Sequence, residues 1–442
     1  MSAPTSEVVE HLHRLVARAP TGSLDPDALW TRGRRQQRRR GMAVAACVSV
    51  LAGLGAAGAA PLVRLIDPPV ATAPEGAGMV LPDAIRTPGR WEPAFSHAPG
   101  PLSAVGRGVR GGWGNDRASL WGVSALTGES RFVDLPDSAP TFSFDSTALS
   151  DDGTRLAYWT STGTPGEPAE EGRALVPTGV AILDLTTGDV RLWDAGTTMG
   201  LQTEALVWAG DTLWFRAGAF RGSEYPAPTT WTWGAIGEPE VATASPWDNA
   251  MAVTSPSSDG FLTARGTAAR RVRTVDAAGV FTTVRLVHAG STTSEPRLSR
   301  DGRLIAGLQQ TPGVGSSGAP LPLVVGPVED GRAVLEPVVG VQATSVRGWR
   351  SATEVVIGSE MVEGVIEVSS VDVIDGVVSP LTSIGDDIVP TTFAADAWTA
   401  DVVPAPGAPF APDPLLVGAG LVALAFVLWR VIVRVRRRRG HP

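Results

Sequence analysis

This chain of 442 residues contains almost no cysteine and no lysine at all. Cys47 is the single cysteine, and every one of the 37 basic residues is an arginine. One thiol cannot form a disulfide within the chain, so packing and hydrogen bonds must hold its fold together. Cys47 stands in an apolar run, where it is expected to act as a small apolar residue. The exclusive use of arginine favours a GC-rich genome, and we attach no chemistry to it.

Histidine is also scarce, with five in total. His97 and His288 are the only two in the central part of the chain, and neither has a cysteine nearby. A Ser-His-Asp triad would have to be built around one of them. The sequence contains no G-x-S-x-G nucleophile elbow and no H-E-x-x-H zinc motif. We therefore predict no catalytic residues, no metal site and no cofactor.

Charge is distributed unevenly along the chain, which carries −8 overall. Residues 67–413 hold 22 arginines against 41 acidic residues, whereas residues 414–442 hold six arginines and no acidic residue. Eight more arginines fall in residues 1–40. An acidic middle argues against nucleic-acid binding there, because such binding requires neutralisation of phosphates. The basic ends instead suggest contact with a membrane surface.

The two ends each contain a long apolar run. Residues 41–63 carry no charge and are long enough to cross a bilayer core of about 30 Å, and residues 415–435 form a second span if Arg430 and Arg434 extend to the interface. Arginine clusters flank both spans on the same side, which predicts a two-pass protein of the cell membrane with both termini cytoplasmic and residues 67–413 extracytoplasmic. A cleaved signal peptide ending near Ala57-Gly58-Ala59 is the alternative for the first span.

These features divide the chain into seven predicted segments. They are a cytoplasmic amphipathic and Arg-rich segment (1–40), transmembrane helix 1 (41–66), a linker (67–78), an extracytoplasmic β domain (79–403), a Pro-rich linker (404–414), transmembrane helix 2 (415–435) and a basic cytoplasmic tail (436–442).

Between the spans, short apolar runs alternate with Gly-containing turns. Two β-hairpins in tandem form one four-stranded unit, and this unit recurs with a period near that of propeller blades. The predicted first turns of each unit lie at 115–116, 152–153, 210–211, 259–260, 301–302 and 352–353, and the predicted last turns lie at 127–128, 187–188, 237–238, 278–279, 330–331 and 375–376. The pattern predicts an all-β domain of six blades. Segments 79–85 and 393–403 are expected to pair and close the ring, or to build part of a seventh blade.

Two stretches resemble a known family. Residues 150–158 (SDDGTRLAY) and 299–306 (SRDGRLIA) look like the S-x-D-G-x-x-[IL]-A hairpin of TolB/WD40-like (PD40-type) propellers, while residues 183–190 (LDLTTGDV) and 126–130 (LTGES) look like the outer hairpin of the same group. The resemblance covers about residues 90–400. It implies a β-propeller, for which the turn count gives six blades, alternatively seven. With the apolar spans and the arginine usage, the chain resembles a propeller membrane protein of a high-GC bacterium. In that family the motif is structural, so it implies a fold and no active site.

Other motifs have a structural interpretation. Gly106, Gly108 and Gly111 match G-x-G-x-x-G, but a turn follows where a dinucleotide fingerprint needs a helix, so strand glycines are expected. The pairs at 151–152 and 386–387 lack the alternating oxygen ligands of a calcium loop, so hairpin turns are expected. Most of the tryptophans beside hairpins are predicted to pack between blades. They include Trp113, Trp159, Trp193, Trp208 and Trp349.

The long insertions give a candidate binding face. Residues 163–178, 217–230 and 309–322 each fall between the second and third strands of a unit, so they should crowd one face of the scaffold. Tolerated insertions are the alternative. The candidate ligand-binding residues on this face are Glu167, Glu170, Arg173, Arg221, Tyr225, Trp231 and Trp233.

The layout favours a membrane-anchored binding, scaffold or sensor module of the cell envelope that holds a protein, peptide or glycan on its propeller face. A propeller lyase or hydrolase is one alternative. The layout also resembles anti-sigma-type regulators, in which an N-terminal segment holds a cytoplasmic regulatory protein. In that hypothesis the apolar stripe of the predicted first helix is a docking face for the regulatory protein. The alternative is that this helix lies on the inner leaflet of the membrane. The stripe consists of Val8, Leu12, Leu15 and Val16.

Overall fold

The computed structural model divides the chain into two units, residues 1–72 and 73–442, and the residues that it describes belong to the second. They are 78–95, 98–111, 117–136, 147–161, 177–197, 200–219, 232–236, 243–244, 252–257, 260–265, 269–276, 280–288, 292–310, 319–360, 365–385, 392–407, 423, 425, 426, 429 and 430. The predicted N-terminal helix and first apolar span therefore lie outside the described residues, as does most of the second span. Within the described part of the chain, no helix is both long and apolar enough to cross a membrane.

The described secondary structure is almost entirely strand, with one 3₁₀ helix, η1 (Ala395–Thr399), and a few helical residues near the C-terminus. The strands are β1 (Val80–Pro82), β2 (Ala84–Ile85), β3 (Leu102–Arg110), β4 (Arg117–Ser124), β5 (Ser130–Val133), β6 (Thr147–Leu149), β7 (Arg155–Thr160), β8 (Gly179–Asp184), β9 (Val190–Asp194), β10 (Leu201–Ala209), β11 (Thr212–Ala219), β12 (Thr232–Ile236), β13 (Thr243–Ala244), β14 (Ala252–Ser257), β15 (Gly260–Arg265), β16 (Arg271–Asp276), β17 (Phe281–Val287), β18 (Thr292–Leu298), β19 (Leu304–Gln310), β20 (Leu321–Glu329), β21 (Arg332–Val334), β22 (Glu336–Ala343), β23 (Ser345–Trp349), β24 (Glu354–Glu360), β25 (Ile366–Asp372), β26 (Val378–Ile384), β27 (Thr392–Phe393) and β28 (Asp401–Val403).

The strands form mainly antiparallel sheets in a propeller-like arrangement. Three sheets have four strands, in the orders β27-β3-β4-β5, β6-β7-β8-β9 and β10-β11-β12-β13. A nine-stranded sheet runs β14-β15-β16-β17-β21-β20-β19-β18, with β22 beside β20, and a five-stranded sheet runs β2-β26-β25-β24-β23. The first strands contact one another in sequence: β6 with β10, β10 with β14, β14 with β18, and β18 with β23. These first strands therefore line the middle of the arrangement, as in a propeller.

The two ends of the β domain meet. Strand β1 pairs in parallel with β28, and β2 pairs in parallel with β26 of the five-stranded sheet. The short strand β27 pairs with β3 and supplies the first strand of the first four-stranded sheet. The predicted pairing of segments 79–85 and 393–403 is thus confirmed for β1 and β28. One prediction is wrong as a result. Because β27 is the first strand of its sheet, the segment between β3 and β4, which contains the predicted first turn at 115–116, connects the second and third strands.

The S-x-D-G turns are built by one serine and one aspartate each. The buried Ser299 hydroxyl donates to Asp301 Oδ1 at 2.7 Å and accepts the Leu304 N–H at 2.8 Å. Gly302 has φ +72°, a left-handed conformation that glycine adopts without strain. The turn at Ser150 repeats the two serine hydrogen bonds at 2.6 and 2.9 Å. Each residue type in the motif therefore has a structural role in the turn, which confirms the structural interpretation.

The outer turns use a different side-chain cap. Asp184 Oδ1 accepts the N–H groups of Thr186 and Thr187 at 2.8 and 3.0 Å, and Gly188 then turns the chain at φ +82°. Hydrogen bonds from Thr186 and Thr187 lower the pKa of Asp184. Ser124 and Asp372 occupy the same position in two other outer turns and accept N–H groups in the same way. The predicted outer hairpins at these three places are confirmed.

Tryptophan packs between the sheets. Trp159 and Trp208 are buried in one cluster with Phe215, and Trp193 packs against Phe215 with ring centroids 4.6 Å apart. Trp349 is buried in the cluster formed by the last sheets of the chain. The prediction of core packing is therefore confirmed for these four tryptophans, whereas Trp113 lies outside the described residues.

Candidate functional site

The sequence-predicted ligand face is only partly described. Glu167, Glu170, Arg173, Arg221, Tyr225 and Trp231 lie outside the described residues, as do the docking residues Val8, Leu12, Leu15 and Val16. Trp233 lies on β12, where its backbone pairs with Arg216 of β11. The segments that carry the six undescribed ligand candidates run from β7 to β8 and from β11 to β12, so strand order places them between second and third strands, as expected.

Strand pairing shows which end of the inner strands faces these segments. Leu201 at the start of β10 pairs with Ala219 at the end of β11, and Thr292 at the start of β18 pairs with Gln310 at the end of β19. The start of each of these inner strands therefore lies where the second strand leads into the second-to-third segment. Polar side chains near these starts therefore lie at the end of the ring that carries the predicted ligand face. We call this end of the ring the loop end.

Three inner strands carry a β-bulge near the loop end. Register shifts interrupt the pairing of β10 at Glu204, of β18 at Glu295 and Pro296, and of β23 at Arg347. A bulge leaves the extra residue unpaired and re-aims its side chain. Glu295 also has φ +48°, which is uncommon for a residue with a side chain and often marks a functional constraint. Each bulge thus places a charged residue on an inner strand.

The first of these charges is paired. Arg216 of β11 forms an ion pair with Glu204 at 2.5 Å, and their side chains are 4% and 10% exposed. Two charges withdrawn from water in this way are costly unless they stay together. We interpret this pair as a structural element of the third sheet that fixes the bulge of β10.

The second bulge ties β18 to β23. Glu295 Oε2 accepts the N–H of Val346 at 3.1 Å, and Arg297 Nε donates to the carbonyl oxygen of Val346 at 3.0 Å. Trp349 Nε1 in turn donates to the carbonyl oxygen of Arg297 at 3.3 Å. Both backbone polar groups of Val346 are therefore held by side chains of the neighbouring sheet. This clamp sets the position of the residue that follows Val346, which is Arg347.

Arg347 differs in its hydrogen bonding from Glu204 and Glu295, the charged residues of the other two bulges. Its side chain is half-buried, its Nε is fully enclosed, and its guanidinium makes no hydrogen bond or ion pair with any residue that the structure describes. Burial lowers the pKa of Arg347, the Glu295 carboxylate opposes that shift, and the charge of Arg297 adds to it. A buried charge of this kind is normally paired.

A hydroxyl and a glycine complete the surroundings of Arg347. Ser345 Oγ is buried and likewise has no partner among the described residues. A Cβ atom placed on Gly358 of β24 would lie 2.6 Å from Ser345 Oγ and 3.3 Å from Arg347 Nε. The absence of a side chain at Gly358 is therefore what leaves room for both polar groups. Together, Ser345, Arg347 and Gly358 form what we call the Arg347 site.

The opposite end of the ring carries a second charged cluster. Arg300, in the first turn of the β18–β19 hairpin, forms an ion pair with Asp396 of η1 at 2.5 Å. Asp396 N–H also donates to the carbonyl oxygen of Asp151 at 2.9 Å. Burial raises the pKa of Asp151 against the lowering effect of Arg300, and the carboxylates of Asp396 and Asp152 raise it further. These contacts join two hairpin turns to the closing segment, which indicates a structural role.

The remaining sequence motifs have structural explanations. Gly106 and Gly108 lie in strand β3 under the Trp121 indole, where a Cβ atom on Gly106 would clash with the ring. The run therefore packs against an aromatic ring and does not form a strand-to-helix turn. His288 Nδ1 hydrogen-bonds to the carbonyl oxygen of Leu335 at 2.9 Å, so this nitrogen is the donor. His97 and the pair at 386–387 lie outside the described residues.

An apolar patch is exposed on the outer part of the last two sheets. Val339 of β22 is 92% exposed and Ile374 of the β25–β26 turn is 80% exposed, and Val377 and Val378 follow in the same hairpin. A Cβ atom on Gly376 would lie 3.4 Å from the carbonyl oxygen of Val339, so the turn and β22 adjoin. Contiguous exposed apolar surface of this kind marks interaction sites. We call these four residues the valine-isoleucine patch.

Sequence reasoning missed the Arg347 site and the valine-isoleucine patch. One signal for the site was present in the sequence: Val346 and Trp349 are both large apolar residues three positions apart, which breaks the period of two that a regular strand requires. The partners across the ring could not be found in this way. Nothing in the local pattern at Ser345 indicates that β18 lies beside it.

Comparison with known proteins adds the fold context. No protein-family model matches the sequence, and no curated protein matches it. Among solved structures, TolB from Acinetobacter baumannii is 16% identical over 68% of each chain, with a TM-score of 0.40. An oligogalacturonate lyase in complex with manganese is 10% identical over 67% of this chain and 77% of that chain, with a TM-score of 0.42. Likeness at this level carries no argument about function, so the propeller-like arrangement rests on the sheet topology.

Proposed function

We propose that this protein is a binding or scaffold module of the cell envelope. The observation that carries the proposal is the valine-isoleucine patch, in which Val339 of β22 and Ile374 of the adjoining β25–β26 turn are highly exposed. Burying a valine or isoleucine side chain contributes about 1.5–3 kcal/mol, so a partner that covered four of them would gain substantially. A partner protein with an apolar surface is the ligand that this chemistry fits.

The proposal includes six blades. The nine-stranded sheet contains two four-stranded runs, β14 to β17 and β18 to β20 with β22. With the other three four-stranded groups and the group β23 to β26, the strand order supports six units around the ring. A seventh blade is the alternative that an experimental structure of the full chain would test.

The proposal also includes membrane anchoring through residues 41–66 and 415–435, with residues 67–413 outside the cell. The support is the charge distribution and the two apolar runs of the sequence. Protease added to spheroplasts should cut the β domain and leave a tag at Pro442 intact. Digestion of that tag would contradict the two-pass arrangement.

Affinity purification tests the binding function. The full-length chain would be purified with a tag from envelope extract as wild type, as the double variant Val339→Asp/Ile374→Asp, and as the control Leu192→Asp. Leu192 is also exposed but lies on β9, in another sheet. We expect a defined protein to copurify with the wild type and the control and to be lost from the double variant. Copurification of the same proteins with all three chains would overturn the role of the patch.

A further inference from the structure

We propose that the Arg347 site binds a carboxylate group of a ligand at the loop end of the ring. The proposal goes beyond the partner-protein function above, because it concerns inner strands and a different type of ligand. Its starting point is the half-buried guanidinium of Arg347, which forms no hydrogen bond or ion pair with any described residue. Groups of this kind elsewhere in proteins are paired, and here a ligand would supply the missing acceptor.

The surroundings show that the position of Arg347 is fixed by the fold. Arg347 is the bulge residue of β23, and the N–H and carbonyl oxygen of the preceding Val346 are bound by the side chains of Glu295 and Arg297 on β18. Glu295 holds this position with a left-handed backbone, at φ +48°. Strain of that kind persists only where surrounding contacts over-determine it. The backbone that carries Arg347 is thus fixed before a ligand arrives, which reduces the entropic cost of binding.

A second donor lies beside the guanidinium. Ser345 Oγ has no partner in the described part of the chain, and it faces the same space above Gly358 as Arg347 Nε. An arginine fork with an adjacent hydroxyl matches the planar, multi-acceptor geometry of a carboxylate. Because position 358 is a glycine, no side chain comes between Ser345 Oγ and Arg347 Nε, and a small acceptor group can reach both.

The local charge distinguishes a carboxylate from a phosphate. Arg347, Arg297 and Glu295 together carry one net positive charge. A single negative charge balances this set, whereas a phosphate dianion would be repelled by the Glu295 carboxylate and by the acidic domain around it. The site therefore fits a monoanionic carboxylate better than a phosphate.

The loop end is also where the sequence predicted a ligand face. The bulge at Arg347 lies five residues before the first turn of its hairpin, and Glu204 and Glu295 lie six residues before theirs. All three therefore belong to the end of the inner strands at which second-to-third segments leave the sheets. A ligand that enters at this end would reach Arg347 on the inner side of the ring.

Thermal unfolding with added anions tests the site. The full-length protein would be heated in acetate, in inorganic phosphate and in chloride at matched ionic strength, with tryptophan fluorescence as the readout. A ligand that binds only the folded state raises the melting temperature with its concentration. We expect acetate to raise it above the chloride value in the wild type and in the control Arg332→Gln, an exposed arginine on β21. The acetate-specific rise should be lost in Arg347→Gln.

Two further variants separate binding from folding. Ser345→Ala removes only the hydroxyl and should reduce the acetate-specific rise, and Arg347→Lys keeps the charge but loses the fork and should reduce it as well. A wild-type protein that shows no difference between acetate and chloride would overturn the proposal. A larger rise with phosphate than with acetate would overturn the choice of a carboxylate. These outcomes are independent of the patch at Val339 and Ile374, which the purification experiment tests separately.

Discussion

Replacement of Ser299 by alanine should lower the free energy of unfolding by disrupting a single turn. The Ser299 hydroxyl is fully buried, donates to Asp301 Oδ1 at 2.7 Å and accepts the Leu304 N–H at 2.8 Å. Ser299→Ala removes both hydrogen bonds at once, and one of them involves a charged carboxylate. Losses of this type cost about 1–3 kcal/mol in the free energy of unfolding, because a partly buried donor is left without its acceptor.

The same variant has a pH signature. The hydrogen bond from Ser299 is the main cause that lowers the pKa of Asp301 below its usual value of 3.8. A carboxyl group with a lowered folded-state pKa stabilises the protein above the unfolded-state value and loses that contribution as the pH falls through the folded-state pKa. The cost of Ser299→Ala should therefore be largest near neutral pH and should shrink below pH 3.8.

Urea unfolding followed by tryptophan fluorescence measures this cost, with the free energy taken from the shift in midpoint at an unchanged slope. Ser351→Ala is the matched control. Ser351 accepts the N–H groups of Thr353 and Glu354 in the corresponding turn of the last sheet, but it is exposed, so water can replace it. Equal costs for the two variants, or a cost for Ser299→Ala that does not change with pH, would refute the reasoning.

Three further substitutions have defined outcomes. Asp151→Asn should raise the melting temperature at pH 7, because burial raises the pKa of this carboxyl and disfavours its charged form in the folded state. The increase in melting temperature should vanish below pH 3.8, where the carboxyl is protonated in both the folded and the unfolded state. Gly106→Ala should cost about 1–3 kcal/mol in urea unfolding, because the new methyl group would overlap the fully buried Trp121 ring. Arg216→Ala should cost about 3–5 kcal/mol by leaving Glu204 uncompensated, and adding Glu204→Gln should recover part of that loss in the same assay.

The hairpins could be predicted from the sequence because each is determined locally. In the turn from Ser150 to Arg155, the serine, aspartate and glycine satisfy one another within six residues, so the pattern of residue types is sufficient. The outer turn at Asp184 is determined in the same way. Alternation of apolar residues then assigns the strands on either side.

The closing strand and the Arg347 site depend on contacts that no local pattern contains. Strand β27 has two residues, and its partner β3 lies almost three hundred positions earlier in the chain. The bulge at Arg347 is held by Glu295 and Arg297, which lie about fifty positions away on another sheet. Sequence periodicity can reveal that a strand is irregular, but it cannot identify the side chain that meets it across the ring.

Closure of the ring is the claim on which the loop end, the Arg347 site and the valine-isoleucine patch all depend, and a disulfide tests it most directly. With Cys47→Ser as background, Ala84→Cys and Ser383→Cys would place thiols on paired positions of β2 and β26, within the range of Cα distances that a disulfide needs. We predict that mild oxidation cross-links this pair, so that fragments from a protease cut between them stay joined until they are reduced. The control pair Ala84→Cys/Val339→Cys should not cross-link. No cross-link in the first pair, or equal cross-linking in both, would contradict a β domain closed by its own two ends.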